Sequence, residues 1–182
     1  MMTADPIDDL NPGYAMQLGT GRANVYTAVM YDKIPNVKLQ GYTLSEFSGD
    51  SDGVPNPGEV VNLKIQLSNA VTGMGVLWQN ATNLIGTLRS HYPGVTVIDS
   101  VATFGTLYSG SDIINDASPF RFSTTALIPM EAIPFELVLS ANQSSSYPFH
   151  KVLPISITLN LIQAGWPFEV GGTPTSSPIL YD

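Results

Sequence analysis

The stretch SGDSDGVPNPGEVV, Ser48 to Val61, sets two aspartates, an asparagine and a glutamate ahead of an apolar run. Asp50 and Asp52 are two apart, the spacing at which alternate side chains of a loop turn to one side. Gly53 permits a sharp bend, Asn56 could add an amide oxygen, and Glu59 brings a carboxylate after the NPG turn. Calcium collects about six to eight hard oxygens of these kinds. The Gly and Glu do not fall at EF-hand spacing. Asp, Gly, Pro and Asn are also what tight turns demand. Two readings therefore stand side by side: a structural Ca2+ site drawn from Asp50, Asp52, Asn56 and Glu59, or a plain turn entering a strand. Clustered carboxylates repel, and a cation among them relieves that repulsion. Neither reading supplies catalysis.

Other chemistry is sparse. The two histidines, His91 in SHYPG and His150 in PFHK, have no acidic neighbour in sequence, which argues for surface polar residues over a zinc site. No GxSxG nucleophile elbow is present. With no cysteine, disulfides, thiol catalysis and cysteine-based zinc sites are excluded. The loop AVTGMGVLWQN carries Met74, Leu77 and Trp78, which with Tyr92 could form a carbohydrate- or surface-binding patch; the competing reading is burial in the core or against a neighbouring domain. The sequons at Asn80 (NAT) and Asn142 (NQS) read as chance matches.

The elements that must position these residues are mostly strands. EVVNLKIQLSNA alternates: Val61, Leu63, Ile65 and Leu67 face one way, with Asn62, Lys64, Gln66 and Ser68 opposite. Similar runs occur at VKLQGYTL, ATNLIGTLRS, GVTVIDSVATFGTL, SPFRFSTTAL, IPFELVLSAN and VLPISITLNLIQ, separated by turns. About seven to nine short strands at turn-punctuated spacing predict an all-β, antiparallel sandwich. Pro134 and Pro154 belong near strand starts or on edges. GRANVYTAVMYD predicts the single short helix, ended by KIPN.

Bulk composition agrees. Hydrophobic residues are 43% and charged residues 12% of 182, which suits one folded domain and not a disordered chain. Net charge is −8 with only 7 Lys+Arg, too few for a phosphate-binding patch, so nucleic acid and anionic membrane are poor partners. No run is long and apolar enough for a membrane helix. The acidic N-terminus MMTADPIDDL is unlike a signal peptide, so an exported protein would carry its signal upstream.

Three segments resemble one family context. ADPIDDLNPGYAMQLGTGRANVYTAV is similar to the closing turn and last helix of subtilisin-like serine peptidases (subtilases), matching LGxGRxNxxxAV at Leu18, Gly19, Gly21, Arg22, Asn24, Ala28 and Val29. GDSDGVPNPGE, LSNA, VTVIDSVATFGTL and SPFRF resemble Ig-like β-sandwich modules that follow catalytic domains in secreted bacterial peptidases. Such modules continue after the Asn as a short TG turn, whereas this chain inserts AVTGMGVLWQN. GWPFEVGGTPTSSPILYD is similar to the entry of an FG-GAP-type β-propeller.

The resemblance implies a peptidase stub over residues 1–35, an Ig-like sandwich over 36–163 and a linker over 164–182. No GTSMAxP-like serine segment is present, so the chain is expected to be noncatalytic while its parent is a peptidase. The implied role is an accessory or spacer module of a secreted or cell-surface protein. Its partners would be neighbouring domains and a polysaccharide or protein substrate. Met16, Val25, Val29, Trp166 and Phe168 in the stubs would allow weak homo-oligomers.

Overall fold

Alternating apolar residues make strands, and in the computed structural model they account for nearly every regular element. The structure describes residues 33–71, 78–128 and 132–159, with short pieces at 4–5, 12–14, 22–23 and 29. The strands are β1 (Ala4–Asp5), β2 (Arg22–Ala23), β3 (Val37–Ser48), β4 (Val60–Asn69), β5 (Ala81–Arg89), β6 (Val95–Asp99), β7 (Val101–Leu107), β8 (Asp112–Ile114), β9 (Phe120–Thr124), β10 (Ile133–Ala141) and β11 (Phe149–Ile157). A 3-10 turn spans Pro12–Tyr14.

Apart from the β1–β2 ribbon, the strands form two antiparallel sheets of a β-sandwich, ordered β11-β10-β5-β7 and β3-β4-β9-β6, with β8 pairing β4. The far edge of β4 is shared: Val60–Leu63 pair with β9 and Gln66–Ser68 with β8. In the gap the Ile65 N–H donates to Asn115 Oδ1 at 2.6 Å. A buried side chain thus stands where a strand partner would be and satisfies the Ile65 backbone donor.

The alternation of β4 holds: Val61, Leu63, Ile65 and Leu67 are fully buried. They share one core with Ile133, Phe135, Leu137 and Leu139 of β10. Aromatic pairs cross between the sheets, Phe104 with Phe120 at 6.5 Å and Phe122 with Phe135 at 4.9 Å between centroids. Burying each such ring stabilises by about 1.5–3 kcal/mol. Gly86 lies under this cluster, where a Cβ would sit 3.0 Å from Leu137 and from Phe104.

On one flank the edge strands β3 and β11 are stitched together. Tyr42 Oη donates to the Ser156 carbonyl at 3.0 Å, and Lys151 Nζ to the Val37 carbonyl at 2.7 Å. Pro154 sits in edge strand β11, and Pro134 pairs with β11 just beyond the reach of β5. Both prolines are where a missing N–H is tolerated.

Two expectations change. GVTVIDSVATFGTL is two strands: β6 belongs to one sheet and β7 to the other, with Ser100 between them. The Ser100 carbonyl accepts from Leu88 N at 2.7 Å, which fixes the crossover. The expected helix does not begin at Arg22 and Ala23, which are extended and pair with Asp5 and Ala4. A short helix is marginal alone, and a strand partner supplies what it lacks. Val29 is helical; residues 24–28 and 30–32 of the expected helix and the tail from 160 lie outside the described residues.

Candidate metal centre

The acidic loop joins β3 to β4 at one end of the sandwich. Three positive-φ residues shape it: Ser51 (67°), Gly53 (81°) and Gly58 (95°). Along β3, Tyr42, Leu44 and Glu46 pair with Ile65, Leu63 and Val61, so all three lie on the core side of the sheet. Leu44 packs against the core, Tyr42 lies at its exposed flank, and Glu46 is carried past its end to the loop. Its carboxylate accepts from Ser51 N at 2.9 Å and from Gly53 N at 2.8 Å.

Asp50 Oδ1 accepts from Asp52 N at 3.1 Å, and Asp52 Oδ1 from Val54 N at 2.7 Å. These two Asx turns bring both carboxylates beside Glu46. One oxygen from each of Glu46, Asp50 and Asp52 lies within 4.8 Å of the others. Like charges at that separation repel by about 1–3 kcal/mol per pair, depending on the local dielectric. The backbone donors offset part of this, and a hard divalent cation would offset more. This cluster of acidic residues could hold a metal ion.

The other two expected ligands are placed differently. Glu59 is buried, and its carboxylate accepts from Asp50 N at 3.1 Å and from Asn56 N at 2.9 Å. Gly49 makes room for it, since a Cβ there would overlap the Glu59 carboxylate. Glu59 therefore holds the two arms of the loop together. Asn56 Nδ2 donates to the Val54 carbonyl at 3.2 Å, while its buried Oδ1 has no hydrogen-bond partner. The structure thus brings Asp50 and Asp52 together, adds Glu46, and sets Glu59 and Asn56 in the loop's frame. Glu46 was readable in principle, because continuing the Tyr42–Leu44 alternation by one step reaches it.

The remaining candidates do not converge. Trp78 is 9% exposed, its backbone N–H donates to Ser109 Oγ at 2.9 Å, and its indole Nε1 has no hydrogen-bond partner. A ring so covered offers no open platform for a sugar. Met74 and Leu77 lie outside the described residues. Tyr92 is half-buried against the core and lines an open groove of about 310 Å³ with His91, Pro93 and Pro134. Trp78 precedes β5 and Tyr92 follows it, so the strand's length of about 27 Å separates them. His150 pairs with Ser140, and Ser140 with Ile85, six residues short of His91; the two histidines are roughly 20 Å apart along the sheet.

Asn142 Oδ1 accepts from both the N–H and the hydroxyl of Thr82 at 2.7 Å, and its Nδ2 donates to the Asn80 carbonyl at 3.0 Å. The two sequons are therefore joined by a structural amide. At the same pole Asn69 is fully buried. It accepts from Asn36 N at 2.8 Å and donates to the Gln79 carbonyl at 2.7 Å, tying the entry of β3 to the approach to β5. No protein-family model matches the chain, and no curated protein is found to be related to it.

Proposed function

We propose that this chain is a noncatalytic accessory module of a secreted, multidomain, subtilase-like protein, with one end rigidified by calcium. The observation that carries the calcium reading is the approach of Glu46, Asp50 and Asp52 to within 4.8 Å in the loop that closes that end. Such a cluster suits a calcium-replete extracellular setting, where low-affinity loops fill. The ion would brace the loop.

The Ig-like type is supported by strand order. Lettered in chain order with β7 and β8 taken as insertions, β3, β4, β5, β6, β9, β10 and β11 become A to G. The sheets then read A-B-E-D and G-F-C, the constant-type arrangement, with β7 added beside C. The peptidase context and the spacer role rest on the three segments that resemble subtilase, sandwich module and propeller entry.

The test is a thermal melt of the purified chain in excess calcium and in chelator, for the native sequence and Asp52→Ala. A ligand confined to the folded state stabilises by about 2.7 kcal/mol at a hundredfold excess over Kd. The expected result is a rise of several degrees that Asp52→Ala removes. An identical melt in both buffers would reduce the loop to a turn.

A further inference from the structure

We propose that a polar pocket at the pole opposite the acidic loop binds a short saccharide that carries a carboxylate, of the hexuronate class. The pocket measures about 490 Å³ and is open to solvent. Asn80 and Thr82, at the start of β5, make one wall. Ser145, Ser146 and Tyr147, in the turn between β10 and β11, make the other, and Lys33 closes one side. The site does not use the covered Trp78 ring.

The walls are fixed by the fold itself. Asn142 ties them through Thr82 and the Asn80 carbonyl, and its own N–H donates to the Thr82 carbonyl at 3.0 Å. Within the turn, Ser145 N donates to the Asn142 carbonyl at 2.9 Å, and Tyr147 N to Ser145 Oγ at 2.8 Å. Lys33 Nζ lies over the Tyr147 ring, 5.6 Å from its centroid. An ammonium and an aromatic ring therefore share one corner. Groups already held in place lose less freedom when a ligand binds.

The polar groups left uncommitted select the ligand. The Asn142 amide is fully engaged, and Asn80 Oδ1 accepts from Ser109 N at 2.9 Å. What remain are donors. Among the described residues, Asn80 Nδ2 and the hydroxyls of Ser146 and Tyr147 donate to nothing, and the Lys33 ammonium donates only to the Val29 carbonyl at 3.3 Å. No carboxylate is among the residues lining the pocket, although the chain carries 15 Asp+Glu against 7 Lys+Arg. Such a site favours a ligand rich in acceptors and negatively charged at one point.

The lining also excludes other classes. It contains no aliphatic residue, so a lipid or an apolar peptide side chain would cover polar groups without satisfying them. Its volume falls in the range of about 300–1,000 Å³ typical of small-molecule sites, well beyond a single phosphate. An acidic sugar matches each part. Its carboxylate meets Lys33, its hydroxyls meet Asn80 and Ser146, and its C–H face meets the Tyr147 ring, which is 42% exposed.

The test is an NMR titration of the 182-residue chain with trisaccharides of galacturonate, glucuronate and mannuronate. Chelator is present throughout, so that calcium at the acidic loop cannot recruit the acid. The expected result is saturable shifts of the Asn80, Ser146 and Tyr147 amides with at least one of the three sugars. Methyl esterification of that sugar should weaken binding about fivefold, and Lys33→Met should weaken the acid by the same factor while leaving the ester unchanged. Tyr147→Ala should weaken acid and ester alike, and inorganic phosphate should not displace the sugar. Thermal melts check that both substitutions leave the fold intact. Any of four results overturns the proposal: no shift of these amides with any of the three at millimolar concentration, an ester that binds as tightly as the acid, a folded Lys33→Met or Tyr147→Ala variant with native affinity, or displacement by phosphate.

Discussion

Replacing Glu59 with alanine separates the loop's frame from its candidate ligands. The carboxylate accepts two backbone N–H groups, Asp50 at 3.1 Å and Asn56 at 2.9 Å, and is itself 8% exposed. A hydrogen bond to a charged acceptor contributes about 1.5–3 kcal/mol. Asp50 is exposed, so water replaces the carboxylate there; Asn56 is half-buried and recovers less. The net cost is about 2–3 kcal/mol. At about 3 °C per kcal/mol for a domain of this size, the melt in chelator should fall by about 6–9 °C. Glu59→Gln keeps one acceptor but turns an NH2 toward the other donor, so it should cost nearly as much. Calcium should still raise the melting temperature of Glu59→Ala, because Glu46, Asp50 and Asp52 remain. If Glu59→Ala melts like the native chain in chelator yet loses its calcium response, Glu59 is a ligand, and the anchoring role assigned here is wrong.

Asn69→Ala removes two part-buried hydrogen bonds of a fully buried side chain at the opposite pole, to Asn36 N and the Gln79 carbonyl. It should lower stability by about 2–4 kcal/mol, read from the urea midpoint, and an unchanged midpoint contradicts that. Gly86→Ala forces a methyl to 3.0 Å from Leu137 and Phe104 and 3.2 Å from Phe120. It should cost about 1–3 kcal/mol, with part recovered by pairing it with Phe104→Leu in a double-mutant cycle. Burial holds the Lys151 ammonium below the ordinary lysine pKa, and nearby Lys38 lowers it further. Between the lowered and ordinary values the unfolded chain binds more protons, so stability rises with pH across that alkaline window. Lys151→Met should flatten the rise in denaturation curves taken through the window; an unaltered slope would mean that Lys151 titrates as if in water.

The long strands were legible because one face of each is apolar, whereas the two- and three-residue strands β1, β2 and β8 are too short to show a period. β4 shows this best, with its four inward residues fully buried. Where the pattern slipped, the reading blurred. In GVTVIDSVATFGTL the inward positions are Val95 and Val97, then Ala102 and Phe104. The phase shifts by one at Asp99–Ser100, which signals a break in the strand. Pairing partners alone decide that β6 and β7 join different sheets, and sequence periodicity carries no such information. At the acidic loop Asp50 and Asp52 stood out by type and spacing. Glu46 did not, because its place at the loop depends on β3 running on past Leu44. Glu59 matches a ligand by type, yet its burial and the gap left by Gly49 make it a tie between the loop's arms. Trp78 was open between a binding patch and burial, because an aromatic in a loop suits both by type; its 9% exposure sides with burial.

The stitches between β3 and β11 bear on how the chain is made. Tyr42 reaches Ser156 and Lys151 reaches Val37, each across 114 residues. On a ribosome the first strand of the sandwich must wait for the last. Until β11 emerges, β10 offers an open edge above a face of Ile133, Phe135, Leu137 and Leu139, the kind of template that invites a wrong neighbour. Closure by such distant pairs places folding among slow β-sandwiches, on the order of milliseconds to seconds. A nascent chain stopped short of Phe149 would therefore be the species that most needs a chaperone, and β11 covers that edge of β10 once it emerges.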